Sequence, residues 1–392
     1  MLFVQQYLKS HSLADLKADY GINSNVYEPL VVLDYSQIDS PKMHPIVMEC
    51  RGLILELNTW QVICYPFRRF FNYGEAQEIT GTFDFKSATG IEKIDGSLIS
   101  LFHYDYKWYM STRGKINNSV LIPLSNLTFK ELFYETTKRY DRFWDTIDSA
   151  YTYIFELVSP ENRVVTRYSE RGLYLIAMRE KFSLWELSDI QIREWSNKLR
   201  VPQPKLVNFS SIQDLMKLAK SLQALEEGFV AVDYSKYDED GISFKRVKVK
   251  NPSYVAISHL KDSAGKSIRS IIRLVLESNE SEFLSYFPEF ANYVFEVQSK
   301  YLKYLTDLDV EQKSIQYLLD SLDSNSKEDV KKFASFMKNM KNSDYFFKKF
   351  KVDKGLTFKQ HIKNIEEIYG TKYVEKMFVE RLKLKDVSFV CE

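Results

Sequence analysis

The sequence predicts an α+β fold in two parts, a sheet-rich N-terminal domain over residues 1–255 and an all-helical C-terminal domain over residues 256–392. Three observations predict it. Short runs of period two recur up to Lys250, helical-period stretches interrupt them, and past Tyr254 only the helical period remains.

The elements follow in order. "MLFVQQYLKSHSLADLKADYG" reads as one amphipathic helix, because polar residues break its apolar run too often for a secretory leader. "LVVLDY", "LISLFHY", "KWYMST", "YTYIFELV", "GLYLIAM", "GFVAVDY" and "FKRVKVK" read as strands, which short connections would arrange in antiparallel sheets. "LTFKELFYETTKRYDRFWDTI" and "SIQDLMKLAKSLQAL" read as flanking helices. Beyond Tyr254, Ile268, Ile271, Ile272 and Val275 fall at i, i+3, i+4 and i+7, and Ile315, Leu318, Leu319 and Leu322 repeat that spacing. "SLDSNSKED" reads as a loop entering a helix N-cap.

Composition excludes several function classes. The 54 basic and 53 acidic side chains leave a net charge of +1, so any polyanion site must come from local clustering. Cys50, Cys64 and Cys391 are odd in number and far apart, which argues against a disulfide framework and for a reducing, cytoplasmic setting. Five histidines with no close cysteine partner argue against zinc. No stretch approaches the roughly 20 apolar residues of a membrane helix, so no membrane partner is expected.

The chemistry gathers in the first domain. In "EKIDGSLIS", Lys93 stands at a turn entering a strand, with Asp95 two residues on and Gly96 allowing close backbone approach to a ligand. A lysine becomes a nucleophile only when its surroundings favour the free amine. "FKRVKVK" puts Lys248 and Lys250 on one strand face and Val247 and Val249 on the other. That face is either simply solvated or built for a polyanion. Arg51, Glu156 and Glu227 are embedded in apolar runs in the same way, and together they make a shared pocket the economical reading.

"ECRGLILEL", "PFRRFFNYGE", "KIDGSLIS", "FELVSPENRVV", "EEGFVAV" and "KVKNPSYVAISH", in that order, resemble the blocks of the bacteriophage RNA ligase 1 family, the tRNA-repair branch of the covalent nucleotidyltransferase superfamily. The resemblance covers roughly residues 30–260 and implies an adenylyltransferase domain that uses ATP and Mg²⁺ or Mn²⁺. It implies that Lys93 takes AMP from ATP, that Asp95 orients the lysine or a metal-bound water, and that Gly96 completes the motif. Arg51, Arg69, Lys248 and Lys250 would hold phosphate oxygens, while Tyr35 and Tyr254 would line the nucleotide pocket. Glu156 would meet the ribose or a metal, Glu227 would meet the metal, and Arg113 would meet pyrophosphate or cap a hairpin.

The implied partner is RNA with 5′-phosphate and 3′-hydroxyl ends, a tRNA broken in its anticodon loop, coupled to a polynucleotide kinase-phosphatase. The implied setting is a phage host's cytoplasm. A DNA ligase or capping enzyme is the nearest alternative, but those families place a basic residue where Leu98 stands and add a small barrel where this tail reads helical. A non-catalytic RNA-binding protein on the same fold is the second. The run from Lys331 to Lys363, with ten lysines, two aspartates and interleaved aromatics, reads either as a solvated amphipathic helix or as an RNA surface in which Lys348, Lys349 and Lys351 touch phosphates.

Overall fold

The computed structural model describes residues 1–122, 125–264, 267–277, 279–338, 340, 342–351 and 356–385. Cys391 lies outside the described residues, while Cys50 and Cys64 are free and buried. The chain divides into two compact units, the first Met1–Ser258 and the second beginning at His259, whose described residues are mostly helical.

The first unit carries three sheets. One is a meander of β1 (Ile22–Tyr27), β2 (Leu30–Tyr35), β3 (Arg51–Glu56) and β4 (Val62–Cys64). The remaining strands are β5 (Phe71–Asn72), β6 (Thr89–Glu92), β7 (Ser97–Tyr104), β8 (Lys107–Ser111), β9 (Tyr151–Val158), β10 (Gly172–Glu180), β11 (Leu206–Val207), β12 (Gly228–Tyr237) and β13 (Phe244–Lys250). They form a four-stranded sheet in the order β10-β9-β7-β8 and a five-stranded sheet in the order β11-β6-β12-β13-β5. All pairings are antiparallel except that of β5 with β13, which is parallel.

Alternation along these strands separates core from site. Ile99, Leu101, Tyr153, Phe155, Leu157, Leu173 and Leu175 point into one buried cluster with Phe129, Leu132 and Phe133 of the helix Phe129–Thr137. In the five-stranded sheet, Phe229, Ala231, Val247 and Val249 pack on Leu215 and Ala219 of the helix Ile212–Ser221. The opposite faces of both sheets are left to border a cavity.

Two expected helices are each split. The N-terminal stretch forms Phe3–Leu8 and Leu13–Tyr20, because Ser12 and Asp15 make a capping box that starts a new helix. The Glu49 carboxylate, 1% exposed, receives the Phe3 and Val4 amides at 3.0 and 2.9 Å, and burial pushes it up to about 7. The stretch after Leu127 forms Phe129–Thr137 and Phe143–Thr146, broken where Arg142 adopts a φ of 57°.

A buried charge network ties β10 to β13. Glu186, whose side chain is fully buried, accepts from both Arg246 Nη atoms, from the Phe244 amide at 3.1 Å, and lies 3.5 Å from Arg179. Arg179 in turn donates to the carbonyls of Pro66, Leu184 and Ile242.

In the helical unit, Ser326 caps Lys327–Met337 by accepting from the Asp329 amide, as the loop reading expected. Of the three lysines proposed for phosphate contact, Lys349 is buried and donates to the Leu356 carbonyl at 2.9 Å, so it belongs to the packing of that unit. No helix among the described residues is long and apolar enough to cross a membrane.

Glu186→Ala leaves two buried guanidiniums without their shared carboxylate, and the expected loss is about 3–5 kcal/mol of stability, measured by urea unfolding.

Candidate active site

A cavity of about 320 Å³ lies between the inner faces of the β10-β9-β7-β8 sheet and the five-stranded sheet. Its apolar wall is Phe67, Phe70, Ile91, Leu98, Ile176, Val230 and Val232. Its charged wall is Arg51, Lys93, Arg246, Lys248 and Lys250 against Glu92, Glu156 and Glu227.

Strand register explains the grouping. Gly228, the first residue of β12, stands opposite Lys250 of β13, and its carbonyl accepts from the Lys93 amide at 2.9 Å on the other side. Glu227 therefore emerges between the two lysines. Its carboxylate binds Lys93 Nζ at 2.6 Å and Lys250 Nζ at 2.9 Å. Gly228 has a φ of 136°, and a Cβ there would sit 2.3 Å from the Val249 carbonyl, so only glycine lets the chain make this turn. Two residues along, Val230 pairs with Ile91 and Lys248, and Val232 pairs with Arg246, which lays a floor of valines beside a rail of cations.

Gly96 serves the other sheet. A Cβ there would meet the Leu157 carbonyl at 2.5 Å, and its amide donates to Glu156 at 3.1 Å, fixing that carboxylate at the cavity edge.

The electrostatics follow from burial and neighbours. Burial pulls the Lys93 ammonium down, but Glu227, Glu156 and Asp95 outweigh it and hold the group above the ordinary lysine value. Burial pushes the Glu227 carboxyl up, and Lys93 and Lys250 more than reverse this. Glu156 is pushed up to about 7 by burial, with Lys93 opposing and Glu227 and Asp95 adding. Lys248 is pulled down to about 7 by burial and then by Arg51, Lys93 and Lys250. Its Nζ donates to the Phe70 carbonyl at 3.1 Å and sits 4.5 Å from the Phe70 ring centroid.

The remaining expected residues stand off the cavity wall. Asp95 was expected to orient the lysine or a metal-bound water. Instead its two oxygens take the Val165 and Thr166 amides at 2.7 and 2.6 Å and the Tyr254 hydroxyl at 2.7 Å. Tyr254, expected to line the pocket, is spent on that bond and lies 5.6 Å beneath Lys250. Tyr35 is likewise not on the wall, because its ring is sandwiched between the guanidiniums of Arg69 and Arg113 at 4.1 and 4.2 Å. Arg113 is also paired to Asp34 at 2.7 Å, so it is more than a hairpin-end charge.

The donor set fits an anion. Nη1 of Arg51 and of Arg69 are buried with no hydrogen-bond partner among the described residues, and burial lowers the Arg51 guanidinium. Among the described residues no group of three or more His, Cys, Asp or Glu side chains is placed to hold a metal. Glu156 and Glu227 are hard oxygen donors of the kind that would hold a divalent ion.

Sequence reasoning missed Phe70, whose ring and carbonyl hold Lys248, and Arg246, whose signal was its position in "FKRVKVK", two before Lys248.

The profile of the family described as RNA ligase matches residues 49–254, more than half of the chain. The chain belongs to the RNA ligase family. Among the relatives of this RNA ligase family member is a candidate bifunctional polynucleotide kinase/RNA ligase of Autographa californica nuclear polyhedrosis virus, 32% identical over 306 residues, 74% of this chain and 42% of that protein. An RNA ligase of Rhodothermus phage RM378 is 27% identical over 293 residues, 60% of this chain and 65% of its own. The chain thus spans less than two thirds of either relative. Among solved structures, a variant of the Naegleria gruberi RNA ligase with ATP and Mn gives a TM-score of 0.34 at 12% identity, covering 44% of this chain and 51% of that one.

Lys248→Met removes a half-buried cation crowded by three others. Because Lys248 has its lowered value only when folded, its penalty is full below pH 7 and fades as pH rises from 7 toward the ordinary lysine range. The variant is expected to melt higher than the parent at pH 6, with the gain shrinking by pH 9, in scanning calorimetry.

Proposed function

We propose that the protein is an ATP-dependent RNA ligase that joins 5′-phosphate and 3′-hydroxyl RNA ends through a lysyl-AMP. The observation that supports this most is Glu227 shared between Lys93 and Lys250 in a cavity whose rail is Arg51 and Lys248. A lysine kept protonated by a carboxylate, beside cations with unspent donors, is a nucleophile waiting for a polyanion.

In this reading ATP enters with its adenine against the apolar wall and its phosphates along Arg51, Lys248 and Lys250. Arrival of the phosphates gives the crowded cations the counter-charge they lack, so Lys248 takes up its full charge. Lys93 sheds its proton, with Glu227 the base in reach at 2.6 Å, and its Nζ attacks the α-phosphorus. A phosphorus–nitrogen bond forms, the bond to the bridging oxygen breaks, and pyrophosphate leaves with its charge held by the guanidiniums and Lys248. A divalent cation at Glu156 and Glu227 would neutralise charge on the phosphates. The same groups then serve transfer of AMP to the RNA 5′-phosphate and attack by the 3′-hydroxyl, since each step is an in-line displacement at phosphorus.

For the substrate we propose a tRNA broken in its anticodon loop, whose ends are prepared by a polynucleotide kinase-phosphatase. The family membership supports this reading, and so does the kinase named in one relative's description.

Incubation with α-labelled ATP and Mg²⁺ should leave label on the protein after denaturing electrophoresis, and labelled GTP should leave none. Lys93→Ala should carry no label, and Lys248→Met should slow labelling by on the order of 10²–10³. Full labelling of Lys93→Ala would overturn the assignment of the nucleophile.

A further inference from the structure

Glu227 does its work at the end of a segment with no ladder to hold it. Residues 222–227, between the helix Ile212–Ser221 and β12, form neither helix nor strand. Yet Glu227 must meet two lysines at once, and a shift of one ångström would break one of the pairs.

The segment is gripped from behind through its carbonyls. Asn251, fully buried directly after Lys250, donates its side-chain amide to the Gln223 carbonyl at 2.8 Å and the Glu226 carbonyl at 3.1 Å. Its side-chain oxygen accepts from the Ser253 amide at 3.0 Å, and its backbone amide donates to the Glu227 carbonyl at 2.9 Å. The Thr166 hydroxyl donates to the intervening Leu225 carbonyl at 2.6 Å.

These contacts close a ring. Thr166 and Tyr254 both donate to Asp95, two residues from Lys93, so the loop bearing Lys93 and the segment bearing Glu227 are tied to the same two anchors, Thr166 and the start of the helix Pro252–Ala264 with Asn251 just before it. Only an asparagine or glutamine offers two amide hydrogens for two carbonyls together with an acceptor for a third group, and glutamine is one methylene too long for a fully buried niche.

We propose that Asn251 and Thr166 are positioning residues that set where Glu227 holds Lys93, and so set the rate of the lysine's attack. This rests on the reading of Lys93 as the nucleophile. Neither side chain lines the cavity, so ATP binding is not their task.

The test is a single-turnover measurement of lysyl-AMP formation at saturating ATP, paired with the Kd of a non-cleavable α,β-methylene ATP analogue, for Asn251→Ala, Thr166→Val and Thr166→Ser. Asn251→Ala and Thr166→Val should slow adduct formation by about 10- to 100-fold with the analogue's Kd unchanged. Thr166→Ser keeps the hydroxyl and should recover the parent rate. Parent rates in both slow candidates would overturn the proposal, as would a Thr166→Ser as slow as Thr166→Val, or a rate loss matched by an equal loss of analogue affinity. Should Asn251→Ala fail to fold, the Thr166 pair decides alone. A parent protein that binds the analogue but forms no adduct would instead overturn the reading of Lys93 on which this rests.

Discussion

The first unit is organised around one electrostatic problem, the crowding of Arg51, Lys93, Lys248 and Lys250 in one half-buried cavity. Two carboxylates on the wall, Glu227 and Glu156, offset part of that charge, and Glu227 is used twice. Glu92 stands on the wall as a third. What remains is a standing demand for anions, visible in the lowered Lys248 and in the orphaned guanidinium nitrogens of Arg51 and Arg69. A fold keeps such a site only by stiffening its surroundings. Here the Arg179–Glu186–Arg246 network and the cores on the far faces of both sheets do that.

Much of this was legible in the sequence because strands have an exact period. "FKRVKVK" places Arg246, Lys248 and Lys250 on one face, and "GFVAV" can place Val230 and Val232 only opposite Phe229 and Ala231, so the floor and rail of the cavity follow from counting by two. The turn of "EKIDGSLIS" is by itself an ordinary one, and it was the ordered blocks around it that singled out Lys93 and Gly96, both of which line the cavity. The family resemblance was then confirmed by the match over residues 49–254.

What was not legible depended on contacts between distant segments. Asp95 sits two residues from the lysine, but its partners are 70 and 159 positions away, and no local pattern announces them. The same holds for Tyr35, whose two guanidinium neighbours come from the loop before β5 and from the end of the β7–β8 hairpin. The N-terminal helix was read as continuous because its hydrophobic period runs on, while the capping box at Ser12, a local signal, was strong enough to break it.

Lys248 has a consequence of its own for reactivity. In the pocket as it stands, the amine with the larger share of free lone pair near neutral pH is Lys248, while Lys93 is held protonated by its carboxylate. By basicity alone, Lys248 rather than Lys93 would be the readier amine for a small electrophile that carries no phosphate. Basicity does not choose the nucleophile here. The choice is made by where the triphosphate lays its α-phosphorus, so the pocket tells its substrate from a stray electrophile by position rather than by the strength of its amine.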